Sequence, residues 1–112
     1  MSAQRRPSYR CVVHGTIDDD ARSRVVDGLV AIEGERFGVA ADDVSVTFIE
    51  VAKGTWFTGG KPSNASFVQG TVPPGTSQDV RAAHMADVCQ AFSSATGSPY
   101  DDVMVVAADG PS

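Results

Sequence analysis

The chain is short of the residues that most directly carry chemistry. It has 2 cysteines and 2 histidines in 112 residues. Cys11 and Cys89 form no C-x-x-C pair, and His14 and His84 have no partner at ligand spacing, so no metal site is expected. Basic residues are outnumbered, 9 against 14 acidic, for a net charge of −5. Nucleic acid and anionic membranes both need a basic footprint, so neither is an expected partner. No window approaches the ~18 apolar residues of a membrane span. The opening MSAQRRPSYR has arginines but no apolar run behind them. No secretory signal is expected, and the location is read as cytoplasmic. No cofactor is expected either.

What is present is a globular balance, 42% hydrophobic and 21% charged, in a length that suits one compact domain. Residues 8–16 (SYRCVVHGT) have the β-branched and aromatic residues of a strand. Asp18-Asp19-Asp20 then supplies a helix cap and an acidic first turn. Val25, Val26, Leu29, Val30 and Phe37 recur at helical spacing over 20–37, with Gly38 as the stop. Gly28 inside that helix suggests close packing against a sheet. VSVTFIEV at 44–51 reads as a second strand with apolar residues on both faces. KGTWFTGGKP at 53–62 reads as a hairpin with Trp56 and Phe57 on its arms.

SFVQGTV at 66–72 is a third strand, and Thr76 or Ser77 caps a second helix over about 78–95. Its expected apolar face is Val80, Met85, Val88, Cys89 and Phe92. DVMVVAA at 102–108 is the last strand. The halves agree: Gly15-Thr16 is read against Gly70-Thr71, and Asp42-Asp43-Val44 against Asp101-Asp102-Val103. The expected fold class is therefore α+β, a duplicated unit in the order β-α-β-hairpin-β-α-β. Its four-stranded sheet carries two helices on one face. Apolar residues on the other face need cover, which a self-assembly supplies. Cys11 and Cys89 read as small buried hydrophobes.

Four stretches, in this order and spacing, carry more than the pattern. They are Pro7-Ser8-Tyr9 opening the first strand, Val44-Ser45-Val46-Thr47-Phe48-Ile49-Glu50, Gly59-Gly60, and Phe67-Val68-Gln69-Gly70. From Pro7 to about Asp109 the chain resembles the tautomerase superfamily, most closely the branch containing cis-3-chloroacrylic acid dehalogenase. The resemblance implies one tautomerase-like domain at 7–112 behind an extension at 1–6. It implies a homotrimer, with a hexamer the other assembly, and sites near the start of the first strand. It also implies an amino-terminal proline acting as base or acid, arginines that hold a small carboxylate ligand, a first-helix histidine and a carboxyl-terminal acid.

Position by position, most of that chemistry is missing. Pro7 aligns with the catalytic proline, but six residues precede it. A proline inside a chain is a tertiary amide, with no proton and no basic lone pair on nitrogen. The two arginine positions fall on Pro73 and Thr76, which carry no charge. The histidine position falls on Glu33, with a one-residue gap, where a carboxylate would repel an anion. Asp109 is the counterpart of the carboxyl-terminal acid.

The expectation is a tautomerase-like protein without standard activity, repurposed as a small-ligand or assembly module. The alternative is an active tautomerase or hydratase-dehalogenase on small enol or unsaturated carboxylic acids. It would use Pro7 freed by cleavage, or another base such as His14. Arg10, with Arg5 and Arg6, either restores anion affinity or belongs to a solvated arm. Trp56 either lines a ligand pocket or packs across a subunit interface with Phe57. Glu33 and Glu35 are expected to be solvated, and His84 to border the core. Glu50 is read at a strand end facing solvent or a neighbouring subunit. Tyr9 and Tyr100 are read as strand-edge and turn residues.

Overall fold

The computed structural model describes residues 5–110. Of the extension at 1–6, residues 1–4 lie outside the described residues. The elements run β1 (Ser8–His14), α1 (Asp19–Phe37), β2 (Ser45–Val51), β3 (Phe57–Thr58), β4 (Lys61–Pro62), β5 (Ser66–Val72), α2 (Gln78–Thr96) and β6 (Val103–Asp109). The four long strands form one mixed sheet in the order β2-β1-β5-β6. β1 pairs parallel with β2, and β5 with β6. The two halves meet along the antiparallel β1–β5 pair.

Local chemistry starts and stops each helix. Asp18 accepts a hydrogen bond from the Ala21 N–H at 2.8 Å, and Asp19 and Asp20 follow in the first turn of α1. Ser77 does the same for Val80 at 3.2 Å, so it is Ser77 that caps α2. Thr76 instead closes the preceding turn. Its N–H and hydroxyl both donate to the Pro73 carbonyl, at 3.2 and 2.5 Å. Gly75 sits at φ 82°, so Pro73-Pro74-Gly75-Thr76 is a type II turn. Gly59 and Gly60 both have positive φ, as a two-residue hairpin loop between β3 and β4 requires.

The duplication is regular. Both helices have 19 residues and the four long strands 7 each. Each half has a 3₁₀ turn before its last strand, Ala41–Asp43 and Tyr100–Asp102. The Asp42-Asp43 and Asp101-Asp102 pairs thus stand at equivalent places. Gly15 and Gly70 do not. Gly70 is the fifth residue of β5, whose counterpart in β1 is Val12, while Gly15 lies past the end of β1.

Alternation sets the layers. Tyr9, Cys11 and Val13 of β1 and Val68 and Val72 of β5 are buried against Val25 and Leu29 of α1 and Val88, Cys89 and Phe92 of α2. Gly28 packs against α2 rather than a sheet: a Cβ there would lie 3.1 Å from that of Ala91. Val80 departs from the expected apolar face of α2 and is exposed, while His84 is buried on it. On the open face of the sheet, register lines up Ile49, Val12, Phe67 and Met104 across all four strands. Ile49, Met104 and Val106 there are exposed.

Gly70 has a packing reason to be glycine. A Cβ at that position would lie 2.5 Å from the Tyr9 ring. Gly70→Ala is expected to displace the ring and cost about 1–3 kcal/mol, read as a lower urea midpoint at unchanged slope.

Candidate functional site

At the start of β1, five parts of the chain converge on one carboxylate. Glu33 lies in the penultimate turn of α1, and its side chain has no exposed surface. Glu33 continues the stripe Val25–Leu29–Glu33–Phe37, four residues apart, that faces the sheet. The expectation that Glu33 is solvated is therefore corrected: its place in the stripe carries it inward. Position adds a second difficulty, because a carboxylate near a helix C-terminus faces the negative end of the dipole.

Arg5 relieves it. One guanidinium nitrogen donates to Glu33 Oε1 at 2.5 Å, and another to the carbonyl of Thr71 at the end of β5 at 2.6 Å. The Arg5 Cζ lies 5.0 Å from the centre of the Phe37 ring, on the next turn of α1. The Tyr9 hydroxyl donates to Glu33 Oε2. Tyr9 is 1% exposed, so the strand-edge reading of it is also corrected. Burial, helped by the carboxylate, drives its pKa far above the ordinary value of 10.0.

His84 of α2 completes the network. Its Nε2 lies 3.1 Å from the Tyr9 oxygen and 4.0 Å from Glu33 Oε2. Because the tyrosine proton points to Glu33, the tyrosine oxygen accepts from His84 Nε2–H. In the neutral ring this is the Nε2–H tautomer, with Nδ1 an acceptor that is buried without a partner. Burial pulls the His84 pKa below its ordinary 6.5, with Arg36 and Arg5 adding to the effect and Glu33 and Asp87 opposing it. The cluster thus holds one carboxylate, one guanidinium and two neutral rings in a chain of donors. Cys11, on the same face of β1 as Tyr9, has its thiol pushed up to about 12 by burial, so it is no nucleophile at neutral pH.

Pro7 is buried beside this cluster, and its carbonyl accepts from the Ser45 N–H at 3.0 Å. Its nitrogen is the peptide nitrogen to Arg6. Pro73 and Thr76 hold the turn after β5. Asp109 stands opposite Val72, at the same end of the sheet, where its carboxylate pairs with Arg81 of α2. Arg81 also donates to the Ala107 carbonyl at 2.7 Å. Arg81 was not among the residues singled out by sequence.

The other candidates lie elsewhere. His14 is at the far end of β1, seven residues and roughly 20 Å along the strand. It lines a separate cavity of about 150 Å³ with Thr16, Asp18, Ser66 and Phe92, and its buried Nε2 has no partner. The three arginines do not form one patch. Arg5 turns inward, Arg6 is exposed 3.6 Å from Asp43, and Arg10 projects from the open face of the sheet beside Gln69 and Thr71. Trp56, just before β3, is half-buried, and Phe57 is exposed. Glu50 is exposed and accepts from the Ile17 N–H at 2.8 Å, tying down the loop after β1. Among the described residues, no group of three or more His, Cys, Asp or Glu could hold a metal ion, and no helix is long and apolar enough to cross a membrane.

No protein-family model matches the sequence, and no curated protein matches it. The fold has close counterparts among solved structures. The native protein Ps01740 matches with a TM-score of 0.85 and 26% identity, over 94% of this chain and 95% of that one. N1, described as a member of the cis-3-chloroacrylic acid dehalogenase family, matches with a TM-score of 0.84 and 18% identity, over 93% of this chain and 75% of that one. A fused 4-OT, described as a wild-type symmetric trimer, matches with a TM-score of 0.83 and 20% identity, over 93% and 85%. This is the tautomerase-superfamily fold. In this tautomerase-like chain, a partly buried Arg5 pairs with a fully buried Glu33 at the start of β1.

The buried imidazole sets a pH response. The unfolded chain takes up a proton on His84 as pH falls through about 6.5, before the folded chain does. Stability contributed by neutral His84 is therefore present above that pH and lost below it. His84→Gln keeps a donor and cannot ionise. The drop in urea midpoint between pH 7.5 and pH 5 is expected to be smaller in this variant than in the wild type.

Proposed function

We infer that the chain is a tautomerase-superfamily protein without the standard proline chemistry, working as a homotrimeric small-ligand or assembly module. The observation that carries this reading is the state of the β1 start. The Pro7 nitrogen is acylated by Arg6, and an amide nitrogen neither takes nor gives a proton at neutral pH. The residue two places earlier fills the space next to it with a guanidinium already bound to Glu33 and Thr71. Nothing at Pro73 or Thr76 replaces the carboxylate clamp that the resemblance implies, since neither side chain is charged and the Thr76 hydroxyl is bonded to the Pro73 carbonyl.

Ketonisation of phenylenolpyruvate tests the reading. Two forms are compared: the full chain, and a chain shortened to begin Met-Pro7, whose methionine is trimmed to leave a free proline amine. Both are expected to be silent, and circular dichroism checks that the shortened chain, which lacks the Glu33 partner Arg5, is still folded. Turnover by the shortened chain alone would mean that the site is intact and masked. Turnover by the full chain would place the base outside Pro7, with His14 the first residue to change.

Assembly is supported by the open face of the sheet, where Ile49, Val12, Phe67 and Met104 make a continuous apolar row. Fused 4-OT of the same fold is described as a trimer. Three copies pairing these faces would bury a row that a lone sheet leaves wet. Sizing by light scattering is expected to give a trimer mass. Met104→Asp, which sets a charge at the β6 end of the row, is expected to shift it toward the monomer.

A further inference from the structure

The acceptors around Arg5 are arranged for a guanidinium rather than for an anion. Glu33 Oε1 and the Thr71 carbonyl receive two different nitrogens of the same fork, at 2.5 and 2.6 Å. The Phe37 ring lies 5.0 Å from its central carbon. A planar cation with several donors meets all three features, whereas a carboxylate meets none. The Glu33 charge has no exposed surface and cannot be left to water. Its other oxygen is already held by Tyr9. Once Arg5 is gone, the nearest side chain able to become cationic is His84, 4.0 Å from Glu33 Oε2, which burial biases toward the neutral form. A cationic occupant is therefore the one that matches the seat.

We propose that the start of β1 is a guanidinium receptor whose resident occupant is the chain's own Arg5, and that a free small guanidinium compound takes the same seat when Arg5 is withdrawn. The proposal deepens the reading that this site has been given to a ligand other than an enol carboxylate, and it names the ligand's chemical class. Arg5 is well suited to leave. Its side chain is 22% exposed, and the next residue, Arg6, is 78% exposed and lies 3.6 Å from Asp43. The anchor behind both is Pro7, which is buried. A swing of two residues about Pro7 would empty the seat and leave the Tyr9 hydrogen bond to Glu33 in place.

The test is chemical rescue in the full chain. Arg5→Ala is titrated with methylguanidinium chloride in the low-millimolar range, far below denaturing concentrations. Melting temperature and the NMR signals of Tyr9, Phe37 and His84 are followed. The expected result is a saturable rise in melting temperature with matching shifts at those three residues. Wild type, with the seat filled, is expected not to respond, and neither is the Arg5→Ala/Glu33→Gln double variant. Equimolar sodium chloride and urea serve as controls for screening and for neutral hydrogen bonding.

A response equal in wild type, equal with sodium chloride, or absent from Arg5→Ala would overturn the proposal. If Arg5→Ala does not fold, Arg5→Gln is titrated in the same way. Recovery of either variant by the probe during refolding counts for the receptor, and failure to recover both counts against it. The ketonisation assay reads a different property, so the two readings fail separately.

Discussion

A carboxylate with no exposed surface must find its counter-charge and its hydrogen-bond donors inside the protein. Glu33 draws them from regions far apart in sequence: Arg5 before the first strand and Tyr9 within it, with His84 of α2 behind Tyr9. A lone ionised carboxylate at such depth would cost several kcal/mol, and the negative end of α1 worsens its position. The network is therefore also a structural tie. It links the amino-terminal segment to α1, the first strand to α2, and through Thr71 the two halves of the duplicated sheet. Gly70 belongs to the same arrangement, because the Tyr9 ring occupies the space where a side chain would be.

This tie changes the meaning of the tautomerase-like fold at the place where a substrate is expected. A free secondary amine beside cationic clamps would suit small anionic acids. Here the same end of β1 presents an amide nitrogen and a buried anion already satisfied by a cation. The local charge logic is reversed, although the strand order and helix placement match those of solved tautomerase-superfamily structures. A scaffold fixes where side chains meet, and the residue types decide what the meeting does.

The duplication shows a similar division of labour. Two nineteen-residue helices and paired seven-residue strands make the halves nearly superimposable in plan. Their polar content is unequal. The first helix contributes Glu33 and the second His84, and both point into the same space between helices and sheet. The opposite face of the sheet carries one apolar row across all four strands, Ile49, Val12, Phe67 and Met104, beside more polar rows through Arg10 and Gln69 and through Ser8 and Ser45. One face is thus completed within the chain, and the other offers its apolar row to further copies.

Periodicity made the element order legible, because helix and strand periods, caps and glycine stops are local properties of the chain. β5 was read at its observed bounds, and the helices were read to within one or two residues. Glu33 was legible in part: a glutamate in a stripe of apolar residues four apart is the signature of a buried charge. Its counter-charge, Arg5, lies 28 positions away in sequence, so the sequence alone gives it no partner. Similar separations hide the roles of Tyr9, 24 positions from Glu33, and of Arg81, 28 from Asp109. The Gly15–Gly70 match misled because two similar dipeptides fell at different depths in their strands. Local periods, caps and stops in the sequence are enough to set the duplicated α+β plan. Only the tertiary structure decided that Glu33 is buried, that Arg5 turns in to meet it and that His14 lies at the other end of the strand. Such pairings depend on which distant residues share a face, and no local pattern encodes that.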